Sequence, residues 1–214
     1  MQLHSFFNSS NSYRVRIALA LKGLTYDTLP VNIRIGEHRA TDYVANVNPS
    51  ASVPALIDGE FSLGQSLAIL DYLDRKFPEP RLIPLEPERR ARVLELATAI
   101  SCDIHPINNL RVLRYLQRPL GHDHAAIETW YNHWIAEGFA ALERLLAGDD
   151  RTGRFCHGDR PGLADIALVP QVVNSERYRL DLGPYPTITR IFETCMTLDA
   201  FAAAHPQQQP DREE

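Results

Sequence analysis

Four small polar residues, Ser9-Ser10-Asn11-Ser12, stand between an apolar run ending at Phe7 and another beginning at Val15. Residues 1–7 read as a strand, and residues 15–22, rich in Ile, Leu and Ala with no breaker before Gly23, read as a buried helix. The polar run thus occupies a strand-to-helix turn. The first N–H groups of a helix lack partners inside it, and the helix dipole is positive there. Such a turn suits an anion: a phosphate, a carboxylate or a thiolate. A hydroxyl of Ser9 or Ser10 could donate to the same anion. The competing reading is a plain N-cap supplied by Ser10, Asn11 or Ser12.

A second turn of this kind is Gln65-Ser66, ahead of the apolar run from Leu67 to Leu73. It reads either as an anion-holding helix start or simply as a cap by Ser66. Further along, His105 stands beside Pro106 at a helix break, and Arg111 and Arg177 are either site cations or structural ones. His122-Asp123-His124 has the look of a metal pair but lacks a third ligand nearby, so it reads as a surface loop and no metal is expected.

The elements that must position these groups come in a clear order. Residues 24–31 alternate roughly and read as a second strand, completing a βαβ unit. Residues 34–48 are polar and read as irregular. Two short runs around Asp58-Gly59 read as an antiparallel hairpin, with Pro54 at the entry to the first. A helix from Leu67 follows, making an α/β domain over residues 1–80. Residues 77–87 hold four prolines, which cannot share one helix, and read as a linker. Everything from 88 to 214 is helical in pattern. A long helix opens at Pro87 and is broken near Pro106, and another runs from about 123 to 147, with Trp130 and Trp134 one turn apart and expected in the core. Gly162 and Asp165 have the spacing of a capping box before an almost wholly apolar helix. Helices over 186–196 and 198–204 follow, and the polar residues 207–214 are expected to fray.

Composition narrows the function classes. The 214 residues are 44% hydrophobic, enough for a sizeable core, and 22 basic against 27 acidic side chains leave a net charge of -5. That balance argues against a nucleic-acid binder. No apolar run is long enough for a bilayer, and the N-terminus has no basic-then-apolar leader, so a cytoplasmic protein is expected. Cys102, Cys156 and Cys195 are odd in number without a C-x-x-C pair, and read as buried thiols.

Several of these segments together match a family. Ser9-Ser10-Asn11-Ser12-Tyr13-Arg14-Val15-Arg16-Ile17-Ala18-Leu19 resembles the S-S-C-x-W/Y-R-V-R-I-A-L signature of zeta-class glutathione transferases, the class of maleylacetoacetate and maleylpyruvate isomerases. Ala45-Asn46-Val47-Asn48-Pro49, Val53-Pro54-Ala55-Leu56, Gln65-Ser66-Leu67-Ala68-Ile69, the stretch from Cys102 to Asn109, Val169-Pro170-Gln171-Val172 and the segment from Pro206 to Asp211 fit the same family in order, over almost the whole chain. The resemblance implies a thioredoxin-like α/β domain followed by an all-α domain, usually a cytoplasmic homodimer.

It also implies roles. Ser9 or Ser10 would donate to the glutathione sulfur, with Asn11 beside it. Val53, before a cis Pro54, would offer its backbone to the cysteinyl part. Gln65 and Ser66 would hold the γ-glutamyl carboxylate, with His38 near the glycyl end. Asn109 would help bind glutathione from the second domain, and His105, Arg111 and Arg177 would face an acidic substrate. The activity implied is cis–trans isomerisation of a maleyl-type oxo acid by thiolate addition, rotation and elimination. Alternatives are a transferase or dehalogenase of small α-halo acids, or a non-catalytic binding protein. Two departures bear on the substrate: Asn11 stands where many members have Cys, and Asn8 where bacterial relatives often have Arg.

Overall fold

In the computed structural model, which describes residues 1–212, chain contacts divide the protein into two units: residues 1–82 with 196–212, and residues 83–195. The expectation of fraying for residues 213 and 214 lies outside the described residues.

The first unit opens with strand β1 (Gln2–Ser5), helix α1 (Ser10–Leu21) and strand β2 (Asp27–Pro30), which pairs in parallel with β1. The hairpin follows as β3 (Ala55–Asp58) and β4 (Phe61–Gly64), and helix α3 (Ser66–Lys76) closes the unit's main body. Sheet order is β2-β1-β3-β4, with β3 antiparallel to both neighbours. The hairpin turns at Gly59, whose φ of 64° lies in the left-handed region that glycine adopts without steric cost. One face of the sheet buries Leu3 and Leu56 against Val15 and Leu19 of α1 and Ile69 and Leu73 of α3. Each such side chain contributes about 1.5–3 kcal/mol on leaving water.

The strands are shorter than the sequence patterns suggest, and the stretch read as irregular contains a 3₁₀ turn (Glu37–Arg39) and a short helix α2 (Thr41–Asn46). Six residues are too few to display helical periodicity, but packing supplies what the pattern lacks: Tyr43 of α2 is buried with Phe6, Phe7, Val31 and Val53.

A buried ion pair fastens the start of the linker. Lys22 Nζ donates to Asp74 Oδ1 at 2.9 Å, to Phe77 O at 2.7 Å and to Pro80 O at 2.9 Å, and the other side of that carboxylate oxygen accepts from Leu82 N–H at 2.7 Å.

The second unit consists of α4 (Pro87–Thr98), a π-helical turn (Ala99–Ile104), a 3₁₀ turn (Pro106–Asn108), α5 (Leu110–Gln117), α6 (His124–Ala147), α7 (Leu163–Arg177) and most of α8 (Pro186–Met196). Helix α7 is buried from Leu163 to Ser175. Asp165 starts it, accepting from Gly162 N–H and Cys156 N–H, each at 2.8 Å. Trp130 and Trp134 do meet edge to face, with centroids 5.6 Å apart, yet both are only half-buried; the core face of α6 is Tyr131, Ile135, Phe139 and Leu142. The indole Trp130 Nε1 finds a partner in Ile107 O at 3.1 Å, which keeps its ring near the edge.

Helix α9 (Asp199–Ala203) and the residues after it group with the first unit, although they follow the helical run in sequence. Tyr13 Oη donates to Phe201 O at 3.0 Å and Arg16 Nε to Ala204 O at 3.1 Å. Residues 207–212, expected to fray, instead include part of a 3₁₀ turn (Pro206–Gln208) and a carboxylate bonded to β1's exit. All three cysteines are free, but Cys102 is exposed, not buried as expected, because its π-helical turn presents it outward.

Candidate functional site

The register of the sheet gathers the first unit's candidate residues. His4 pairs with Ala55, and Ala55 pairs with Gly64. The exit of β1 toward Ser9, the entry to β3 at Val53-Pro54 and the exit of β4 toward Gln65-Ser66 therefore lie at one end of the sheet. Ser5 pairs with Pro30, so β2 also leaves at that end on its way to His38.

At the first turn the N-cap is Ser9, not Ser10, Asn11 or Ser12. Its extended backbone (φ -89°, ψ 119°) turns the chain, and its Oγ accepts from Ser12 N–H at 3.2 Å. That hydrogen bond uses the hydroxyl as an acceptor and leaves its proton to donate to an anion at the helix start. Ser10 is buried in the first turn of α1.

Asn11 links two helix starts. Its Oδ1 accepts from Arg14 Nη1 at 2.8 Å, and Ser66 Oγ lies 3.5 Å from the same oxygen and 3.4 Å from Arg14 Nη1. Guanidinium can only donate, so the amide must turn its oxygen to Arg14 and its Nδ2 donors away. Sequence reasoning gave Arg14 no role. The available signal was a cation inside an otherwise apolar helix; Arg14 and Arg16 are each only 1% exposed. Arg16 holds the turn's backbone, donating from Nη1 to Phe6 O at 3.4 Å and from Nη2 to Phe7 O at 3.0 Å. Burial lowers its pKa to about 10, partly countered by Tyr26 and Asp211, so it stays a cation at neutral pH.

Val53 is buried and joined to Pro54 by a cis peptide. Among the described residues its N–H and C=O form no backbone hydrogen bond, which leaves an edge onto which an extended peptide could add. Ser66 is the first residue of α3 and not its cap. Gln65 precedes it with φ 64° and ψ 113°, and its exposed side chain makes no capping hydrogen bond. A non-glycine residue in this region carries strain typical of ligand-holding positions. His38 is buried on the 3₁₀ turn after β2.

The second unit's candidates form a separate group. Asn109 caps α5, its Oδ1 accepting from Arg111 N–H at 3.1 Å, while its Nδ2 lies 3.5 Å from His105 Nε2. Arg111 is exposed in the first turn of α5. The stretch sits against α6 in two ways. Asn108 Nδ2 donates to Tyr131 O at 3.1 Å. Gly138 lets Ile104 approach so closely that a Cβ there would lie 2.3 Å from Ile104 Cδ1. Tyr131 in turn stacks on Tyr178, with centroids 3.6 Å apart, at the end of α7 where Arg177 is exposed. Burial raises both phenols' pKa values, and the nearby Arg177 cation opposes the rise. Arg177 is thus brought to the Tyr131–Tyr178 pair, while His105, Asn109 and Arg111 gather one helix start away. The pair had no signal in sequence, because it depends on two helices meeting.

Asp123 of the His122-Asp123-His124 run caps α6, accepting from Ala126 N–H at 2.9 Å. No group of three or more His, Cys, Asp or Glu among the described residues is placed to hold a metal ion. Among the described residues no helix is long and apolar enough to cross a membrane.

Comparison with known proteins shows the family. The family model for the glutathione S-transferase N-terminal domain matches residues 1–75, and that for the C-terminal domain matches residues 120–205. A maleylpyruvate isomerase of Ralstonia is 47% identical over 211 residues, covering 99% of each chain. The holo structure of a maleyl pyruvate isomerase, a bacterial zeta-class glutathione S-transferase, superposes with a TM-score of 0.97 at 46% identity over all of both chains. A maleylacetoacetate isomerase of Methylobacterium extorquens, solved with malonate and glutathione bound, gives a TM-score of 0.93 at 37% identity, again over all of both chains. Identity of this extent over the full length means that the chain belongs to the glutathione S-transferase family, in the zeta-class branch that contains the maleylpyruvate and maleylacetoacetate isomerases.

Proposed function

We propose that this protein is a glutathione-dependent cis–trans isomerase of a maleyl-type oxo acid, maleylacetoacetate or maleylpyruvate. Residues within 1–80 would hold glutathione, and residues within 88–214 the acidic substrate. The observation that carries the reading is the convergence of the Ser9 turn, the open backbone of Val53 and the uncapped Gln65 at one sheet end, in a chain so similar to isomerases. These groups fit a tripeptide thiol: a donor hydroxyl at a helix start for the sulfur, a free backbone edge for the cysteinyl part, and an amide with a helix N-terminus for the γ-glutamyl carboxylate. Asn11 Nδ2, turned away from Arg14, is a further donor; His38 and, on the second unit, Asn109 are the other residues that would bind glutathione.

Glutathione, when bound, supplies a thiolate that adds to the substrate's alkene, so that the former double bond can rotate before the thiolate leaves. The chain's part is electrostatic. Ser9, or Ser10, with the start of α1 favours the thiolate over the thiol. Arg111 and Arg177 match the substrate's carboxylates in planar forks. His105, in contact with Asn109, is the donor toward the oxygen on which negative charge develops.

Asn8 in place of arginine removes one cation, which keeps a transferase or dehalogenase of small α-halo acids as the second reading. The test is turnover of maleylacetoacetate and maleylpyruvate with substoichiometric glutathione. Many turnovers per glutathione, lost in Arg111→Ala or Arg177→Ala, support the isomerase. Stoichiometric consumption of glutathione supports the transferase, and binding without either reaction leaves a non-catalytic binding protein. We further infer a cytoplasmic homodimer. Its three free thiols suit a reducing compartment, and light scattering on the purified protein reads the oligomeric state.

A further inference from the structure

The segment Pro210-Asp211 matches the family in sequence but has no part in the site described so far. We propose that Asp211 is a positioning residue for the Ser9–Ser12 turn, acting through the N–H of Phe7; what that turn does chemically rests on the isomerase reading above, whereas how it is held does not.

The turn needs an external hold because the sheet releases it early. Strand β1 ends at Ser5, so the peptide groups of Phe6 and Phe7 fall outside the ladder and must find partners elsewhere. Phe6 O accepts from Ser9 N–H at 3.0 Å, which forms the turn itself. Arg16 grips the two carbonyls Phe6 O and Phe7 O. Phe6 N–H donates within the turn, to Ser12 Oγ at 3.5 Å. That leaves Phe7 N–H, and its acceptor is Asp211 Oδ2 at 2.8 Å, 204 positions along the chain.

Two further contacts bring the tail to the same place. Phe201 O accepts from Tyr13 Oη and Ala204 O accepts from Arg16 Nε. One arginine therefore joins the turn's carbonyls to the tail's backbone, while the tail's carboxylate returns to the turn's amide. The loop of contacts closes around the peptide unit two residues before Ser9. A charge-assisted bond donated to a half-buried carboxylate is stronger than one to a neutral acceptor and leaves that peptide plane little room to rotate. If it rotated, Ser9 and the start of α1 would shift relative to Val53 and Gln65. Loss of alignment at a reacting centre lowers turnover more than it lowers binding by distant contacts.

The test compares Asp211→Ala, Asp211→Asn and, as a control on the same tail, Arg212→Ala, whose side chain is exposed and contacts Gln207 O. Three quantities are measured on each: site-resolved amide exchange, calorimetric affinity for glutathione, and kcat with the maleyl substrates. Asp211→Ala is expected to speed exchange at Phe7 and across residues 8–12, with protection elsewhere in the protein unchanged. Its kcat falls roughly tenfold to a hundredfold at a nearly unchanged glutathione Kd. Asp211→Asn, whose Oδ1 can accept the same N–H through a weaker, neutral bond, restores most of both, and Arg212→Ala matches the parent.

Unchanged exchange at Phe7 in Asp211→Ala overturns the proposal. So does a general loss of protection, with kcat falling only in step with the folded fraction. An Asp211→Asn variant as defective as Asp211→Ala also overturns it, because the effect would then be one of charge and not of the hydrogen bond. If the parent turns over neither maleyl substrate, the isomerase reading fails, and the exchange result alone then decides whether Asp211 holds the turn.

Discussion

Gln65 links stability and ligand binding with opposite signs. Its φ of 64° with ψ 113° places an L side chain where steric crowding disfavours it. Strain of this kind costs about 1–3 kcal/mol. In Gln65→Gly the clash disappears, but the unfolded chain gains freedom that costs roughly 0.5–1 kcal/mol on folding. The net expectation is a stabilisation of about 1 kcal/mol, or a rise in Tm of about 2–4 °C for a chain of this size. Gln65→Ala keeps the Cβ and the strain, so its stability should stay within about 0.5 kcal/mol of the parent. Both variants lose the amide offered to the γ-glutamyl carboxylate. A hydrogen bond to a charged group contributes about 1.5–3 kcal/mol, so the glutathione Kd should rise about tenfold to about 150-fold in each. Thermal unfolding without glutathione, which would otherwise add its own linkage term, reads the first effect. Isothermal calorimetry reads the second. A Gln65→Gly protein less stable than the parent would refute the strain argument. Unchanged affinity in Gln65→Ala would refute the assignment of the carboxylate site.

Lys22→Met should destabilise the first unit by about 3 kcal/mol, since it leaves buried Asp74 to the longer contact with Arg81 Nη1 at 3.8 Å, and Lys22→Met with Asp74→Leu should recover much of that loss in urea unfolding. Iodoacetamide on the native protein should label Cys102 alone, because burial pushes the Cys156 and Cys195 thiols up and hides them, and peptide mass mapping would show any second site. Asp149, held by a two-point contact from Arg151 and by Arg92 Nε at 2.9 Å, has its pKa lowered to about 2 from 3.8. A carboxyl depressed on folding contributes stability that is present above its unfolded pKa and is lost as pH falls through the folded one. Stability should therefore decline between about pH 4 and pH 2 partly through this group, and Asp149→Asn should flatten that limb of the unfolding midpoint against pH.

The order of the four strands and the two long helices in the first unit could be read from local residues alone. A strand, a helix and a strand, then a hairpin at Asp58-Gly59 and a helix after Ser66, are written in apolar spacing and turn residues, whose partners lie a few positions away. The same holds for α7, where Asp165 reaches back only three residues to Gly162 N–H. The strand-to-helix turn was legible for that reason, but not which residue caps it. Ser9 is the cap because β1 lets go at Ser5, and that depends on strand pairing and on Arg16. Tertiary structure also decided what local pattern could not express. Arg14 meets Ser66 across 52 positions, Arg16 meets Ala204 across 188, and Phe7 meets Asp211 across 204. Closing such loops costs chain entropy and is favoured only when the rest of the fold has already brought the ends together. Buried cations in an apolar helix, a polar tail that returns to β1 and two tryptophans left half-buried are products of that assembly, which no neighbouring residue encodes.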